Sequence, residues 1–129
     1  MLDGSRLKGV ILDFASMAPA SLDADALFDI PKVDWTIHQQ TSAQLVDERI
    51  RGADIVLTNK VVLDQAAIEN SQTLKFIGVL ATGMNNIDLD TCARRGIQVE
   101  NAVGYGTASV AQHTLMLMLM LATNASRYQ

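Results

Sequence analysis

A chain of 129 residues is one domain's worth, and 49% hydrophobic residues allow it to bury a core. A net charge of −4 without a basic patch argues against a nucleic-acid partner, and the single Cys92 rules out an intramolecular disulfide and favours a reducing compartment. Met1-Leu2-Asp3-Gly4 lacks a signal-peptide pattern, and the most hydrophobic segment, Leu115 to Ala122, is far short of the roughly 20 residues of a membrane span, so a soluble, cytoplasmic chain with no membrane partner is expected.

In chain order, residues 1–7 read as a lead-in, and Gly9 to Leu12 as the first strand, ending at Asp13. Phe14 to Ser21, with small residues and Pro19, reads as a loop. Ser21 or Asp23 caps a helix carrying Leu22, Ala26, Leu27 and Ile30, and Pro31-Lys32 stops it. Val33 to His38 alternates as a second strand. Thr41 or Ser42 caps a helix with Leu45, Val46 and Ile50 at helical spacing, closed by Gly52. Asp54 to Thr58 is a third strand, with Asn59 and Lys60 at its carboxyl end. Leu63 or Asp64 starts a helix that turns Ala67 and Ile68 inward and ends near Asn70.

The next stretch, Lys75 to Asn101, organises the rest. Phe76, Ile77, Val79, Leu80 and Ala81 form an apolar run suited to a strand buried on both faces. It breaks at Thr82-Gly83, where glycine permits a tight turn and close approach of a ligand. Ile87 to Asp90 opens a short helix with Arg94 and Arg95 in its last turn and Gly96 as the stop, and Ile97, Val99 and Asn101 begin a fifth strand. A loop, Ala102 to Gly106, then leads to a long helix from about Thr107 to Asn124 whose TLMLMLMLAT run is apolar on all sides. Strand–helix alternation with short connections predicts an α/β fold with a five-stranded parallel sheet and helices on both faces; the pattern alone also allows a Rossmann-type half. An exposed apolar helix of this kind predicts self-association, as a twofold homodimer through residues 107–124.

Backbone N–H groups at the Thr82-Gly83 turn, close to a helix N-terminus, suit an anion, and Lys60 at the neighbouring strand end can offset its charge. Cys92 reads as a structural thiol, since no activating histidine is near in sequence. His113 and His38 read as structural and surface residues, and Asn85, Asn86 and Asp88 as loop and cap residues. No metal-ligand spacing, nucleophile elbow, P-loop or G-x-G-x-x-G fingerprint occurs.

The pattern K-x-I-x-x-x-x-T-G-x-x-N-I-D, then G-I-x-V-x-N, then S-V-A-Q-H, resembles the D-isomer-specific 2-hydroxyacid dehydrogenases. Asn59-Lys60-Val61, Ala81 to Asp88 and Gly104-Tyr105-Gly106-Thr107 point to the branch that includes glycerate dehydrogenase, or hydroxypyruvate reductase. The resemblance implies a flavodoxin-like strand order, 2-1-3-4-5. It implies that residues 1–104 form the substrate-binding domain and that 105–129 are an interdomain helix. It also implies that the NAD-binding Rossmann domain, with the catalytic arginine, glutamate and histidine, lies outside this chain. The implied substrate is a small 2-hydroxy or 2-keto acid, with the carboxylate held by amides of Ala81, Thr82 and Gly83. Asn59 and Lys60 would stand beside it, Tyr105 would line the pocket, and Thr107 would lie near the nicotinamide of NAD or NADP. Gly106 stands where several relatives place Asn, and Gln112 where most place Glu. On this reading the chain alone has no catalytic residue, binds no cofactor tightly and is inactive.

Two rivals come from other classes. One is a stand-alone flavodoxin-like module that binds a small anion or self-assembles without catalysis. The other is a phosphoacceptor receiver, which needs acidic residues at the first and third strand ends. Asp13 satisfies the first; Asn59-Lys60 fails the second.

Overall fold

The computed structural model of the chain describes residues 6–17, 29–124 and 127. Five strands, β1 (Leu7–Ile11), β2 (Val33–Ile37), β3 (Ile55–Thr58), β4 (Phe76–Val79) and β5 (Gln98–Asn101), form one parallel sheet in the order β2-β1-β3-β4-β5. The expected order 2-1-3-4-5 is therefore found. Four helices follow: α1 (Val46–Ile50), α2 (Gln65–Asn70), α3 (Leu89–Arg95) and α4 (Thr107–Thr123).

Side chains alternate across a strand, so each strand feeds two faces. One face presents Val10, Val56, Ile77 and Val79, which pack with Val46 and Ile50 of α1, Ala67 and Ile68 of α2 and Cys92 of α3 in one core. These three helices thus share a face. The helix expected from Ser21 or Asp23 lies outside the described residues; its last expected inward residue, Ile30, is exposed. On the other face the backbone makes room for large side chains. A Cβ on Gly9 would sit 2.4 Å from the ring of its β2 neighbour Trp35, and one on Gly78 would sit 2.5 Å from Leu57.

Local chemistry explains where the helices begin and end. The Asp64 carboxylate accepts from the Ala67 N–H at 2.9 Å, and Asp88 accepts from the Thr91 N–H at 2.8 Å, so both helices carry side-chain N-caps. Gly96 closes α3 in the left-handed region, φ 67°, where a Cβ would be strained.

Several boundaries differ from the sequence expectation. β1 begins at Leu7, inside the expected lead-in, because the Leu7 N–H bonds to the Lys32 carbonyl at 2.8 Å. Phe14–Ser16 is a 3-10 turn rather than open loop, closed by the Ser16 N–H on the Asp13 carbonyl. The helix expected after Thr41 starts as a 3-10 turn, Ala43–Leu45, which turns Leu45 outward. β4 stops at Val79, so Leu80 lies beyond the sheet and is 36% exposed rather than buried.

Candidate functional site

The carboxyl ends of β1, β3 and β4 converge on one edge of the sheet. At its centre is Asp13, only 5% exposed. One carboxylate oxygen accepts from the Asn59 N–H at 2.9 Å and from the Thr58 hydroxyl at 3.1 Å. The other accepts from the Lys60 N–H at 2.7 Å and lies 3.1 Å from the Ser16 hydroxyl, whose proton goes to the Asp13 backbone carbonyl at 2.7 Å. The Asn59 amide in turn donates to the Ser16 hydroxyl oxygen at 3.0 Å and to its carbonyl at 3.2 Å. A buried carboxylate with three donors is well satisfied, and it fixes the turn after β3. It is not arranged as a phosphoacceptor, since its oxygens are already engaged.

The turns after β3 and β4 are pinned together. Leu63 and Ile87 form a parallel bridge, with the Leu63 N–H on the Asn86 carbonyl at 2.9 Å and the Asp88 N–H on the Leu63 carbonyl at 3.0 Å. The Asn86 side chain donates to the Val61 carbonyl at 3.0 Å. Between these turns lies a depression of about 300 Å³ lined by Asn59, Lys60, Ala81, Gly83, Asn85 and Asn86. The structure thus brings together four of the seven residues expected at a site, Asn59, Lys60, Ala81 and Gly83.

Thr82 lies on the same turn but does not line the depression; its carbonyl accepts from the Asn101 side chain at 2.6 Å. The backbone N–H groups of Ala81, Thr82 and Gly83 donate to no group among the described residues, whereas those of Asn59 and Lys60 are taken by Asp13. Ala81 and Gly83, whose amides find no partner among the described residues, line the depression with a lysine whose ammonium makes no ion pair among them.

The Gly83 backbone is not left-handed, and a Cβ there would approach the Asn85 side-chain oxygen to 3.2 Å, which favours glycine by space. The next helix starts several residues on. α3 begins only at Leu89, and its first-turn amide is occupied by Asp88, with Asp90 adding negative charge. The turn's own amides, not a helix dipole, are what it offers an anion.

Tyr105 and Thr107 stand apart from the depression, on the segment that follows β5. Tyr105 is 73% exposed, after a left-handed turn at Gly104 (φ 75°), and Thr107 is the exposed first residue of α4. Thr107 alone makes no dinucleotide site, and no glycine fingerprint accompanies it. Among the described residues no group of three or more His, Cys, Asp or Glu is placed to hold a metal ion, and no helix is long and apolar enough to cross a membrane.

Lys60 also borders a larger depression of about 500 Å³ on the β1–β2 side, walled by Gln39, Gln40, Thr41, Val46 and Val61 among others. Its floor is knit by the Phe14 N–H on the His38 carbonyl (3.0 Å) and the Thr41 hydroxyl on the Leu12 carbonyl (2.5 Å). His38 is half-buried; burial, then the nearby Arg49 charge, holds its imidazolium pKa below the ordinary value. Cys92 is buried against the core, and burial, reinforced by Asp88 and opposed by Arg95, pushes its thiol up, which leaves it a poor nucleophile.

Asp13 is the residue that sequence reasoning missed as part of this site. The available signal was a lone acidic residue at the end of an otherwise apolar strand, next to turns that carry free amides.

Comparison with known proteins identifies the family. Residues 11–129 match the family model of the D-isomer specific 2-hydroxyacid dehydrogenase catalytic domain. A Haemophilus influenzae protein described as a 2-hydroxyacid dehydrogenase is 40% identical over 87 residues, 67% of this chain and 28% of that protein. The hydroxypyruvate reductase of Blautia hydrogenotrophica is 38% identical over 116 residues, 88% of this chain and 35% of that protein. The chain therefore spans about a third or less of these relatives. In structure it is similar to the NAD-dependent formate dehydrogenase of Staphylococcus aureus in complex with NAD, at a TM-score of 0.71 and 20% identity, covering 94% of this chain and 40% of that one. That likeness speaks to the fold.

Proposed function

The chain belongs to the D-isomer specific 2-hydroxyacid dehydrogenase family, and from that premise we propose that it is the substrate half of a longer NAD- or NADP-dependent oxidoreductase. The enzyme would act on the CH–OH group of small D-2-hydroxy acids of the glycerate and hydroxypyruvate kind, in the cytoplasm. In this reading residues 1–104 form the substrate-binding domain, and 105–129 lead towards a nucleotide-binding domain that carries the acid–base machinery.

The observation that carries the reading is the run of N–H groups at Ala81, Thr82 and Gly83, near Lys60, that find no partner among the described residues. A 2-keto acid presents a carboxylate, which accepts from such amides, and an adjacent carbonyl. Lys60 offsets the anion's charge, and Asn59 offers a neutral polar edge. Tyr105, exposed on the following loop, would close over the substrate, and Thr107 would stand towards the nicotinamide. The nicotinamide supplies the hydride. This chain's groups hold and orient the acid, and positioning alone, without a general acid, leaves it inactive.

The assay that tests this compares the isolated chain with the product of the reading frame continued past the Gln129 codon. The longer protein should oxidise NADH or NADPH in the presence of hydroxypyruvate, while the isolated chain should not. Turnover by the isolated chain, or none by a longer protein carrying a dinucleotide fingerprint, would overturn the proposal. A second reading, a stand-alone small-anion module, is favoured by one observation: the sheet and its core close within residues 7–101. An immediate stop after Gln129 would bring it forward.

A further inference from the structure

We propose that Asp13 is a positioning residue of this site, acting through Lys60 and never touching the substrate. The inference rests on the reading of the concavity as a carboxylate site. Asp13 and Lys60 carry opposite charges at the ends of adjacent strands β1 and β3, and the direct arrangement would be an ion pair between them. The structure holds a different one. The Asp13 carboxylate takes the backbone N–H of Lys60, at 2.7 Å, together with the Asn59 N–H and the Thr58 hydroxyl. Its charge is met entirely by dipoles, and the Lys60 ammonium makes no ion pair or hydrogen bond among the described residues.

This arrangement has two effects. It fixes the Lys60 backbone at the boundary between the 300 Å³ and 500 Å³ depressions, so the side chain starts from a set point on that wall. It also leaves the ammonium uncommitted for an incoming anion, which an ion pair with Asp13 would have neutralised. Ser16 and Thr58 complete the device. Ser16 donates to the Asp13 carbonyl while accepting from the Asn59 side chain, and Thr58 donates to the Asp13 carboxylate while its hydroxyl oxygen accepts from the Val61 N–H at 3.2 Å.

Asp13→Asn keeps the shape but offers one acceptor oxygen where two are needed, and turns an NH₂ donor against a backbone N–H. The experiment is a double-mutant cycle of D13N and Lys60→Met, read as binding of D-glycerate by NMR titration, with amide hydrogen exchange of Asn59 and Lys60 measured alongside. D13N should bind D-glycerate about tenfold more weakly while remaining folded, and exchange should quicken at Asn59 and Lys60 but not in β4. Because Asp13 acts through Lys60, D13N/K60M should bind no more weakly than K60M alone. A purely structural Asp13 would lower thermal stability and leave the binding of the folded fraction unchanged; that result, or additive losses in the cycle, overturns the inference. Should D13N fail to fold, Ser16→Ala removes the hydroxyl that bonds the Asp13 carbonyl and accepts from the Asn59 side chain, and should weaken binding about threefold; unchanged binding in S16A overturns it equally. Absence of D-glycerate binding by the unsubstituted chain would sink both this inference and the function it rests on, whereas normal binding with an additive cycle sinks this inference alone.

Discussion

A carboxylate ligand needs very little from a protein: a few N–H groups that nothing else has claimed, and a positive charge at the rim. Each charge-assisted hydrogen bond of this sort contributes about 1.5–3 kcal/mol, so three amides and one lysine suffice for recognition without an elaborate pocket. That Ala81-Thr82-Gly83 forms a turn near Lys60 was legible in the sequence, and Lys60, Ala81 and Gly83 line one depression. Asp13 was not, because its partners Asn59 and Lys60 lie 46 and 47 positions away and only the β1–β3 pairing brings them within reach. The residue scale also carries a pH prediction. Burial, then Arg49, lowers the pKa of His38 in the folded chain. The unfolded chain therefore binds a proton at higher pH than the folded one. The stability this contributes is whole above the ordinary imidazole pKa of about 6.5, declines as pH falls through that value, and levels off once the folded ring is protonated too. Thermal unfolding followed from about pH 7 down to about pH 5 should show His38→Gln with a flatter decline than the parent chain. An unaltered slope would mean the ring does not share the interior.

Among the elements, strands and capped helices were the most legible. Apolar runs marked β1, β3 and β4, alternation marked β2, Asp64 and Asp88 signalled their helices, and Gly96 marked a helix end through its left-handed backbone. Boundaries were less so. Leu80 continues an apolar run in sequence, yet β4 ends at Val79, and helical spacing alone does not show that Leu45 sits in a 3-10 turn. The helix α4 finds no cover within one copy of the chain. It buries none of its residues, and Leu115, Met118 and Leu121 are 57%, 62% and 82% exposed. Apolar area of this size favours association, and we expect homodimers through this helix. Sedimentation should show mass rising with concentration. Leu117→Glu should weaken the dimer about a hundred- to ten-thousandfold, since the change falls in both copies, burying each leucine is worth about 1.5–3 kcal/mol and each 1.4 kcal/mol is tenfold. A parent chain that stays monomeric throughout would remove the homodimer.

At the scale of the whole molecule, a five-stranded sheet closed by α1 to α3 acts as a rigid carrier for two turns at its carboxyl edge, where open parallel sheets commonly bind ligands. Family membership rests on a match spanning residues 11–129, and the fold agrees with it. On the proposed function, the edge formed by Lys60 and Ala81 to Gly83 holds the carboxylate of a small 2-hydroxy or 2-keto acid. The most direct measurement is a titration of the ¹⁵N-labelled chain with D-glycerate, followed amide by amide. Saturable shifts at Lys60, Ala81, Thr82 and Gly83, with Cys92 and the rest of α3 unmoved, are what this account predicts. No shift at those amides, or shifts centred on another part of the surface, would contradict it.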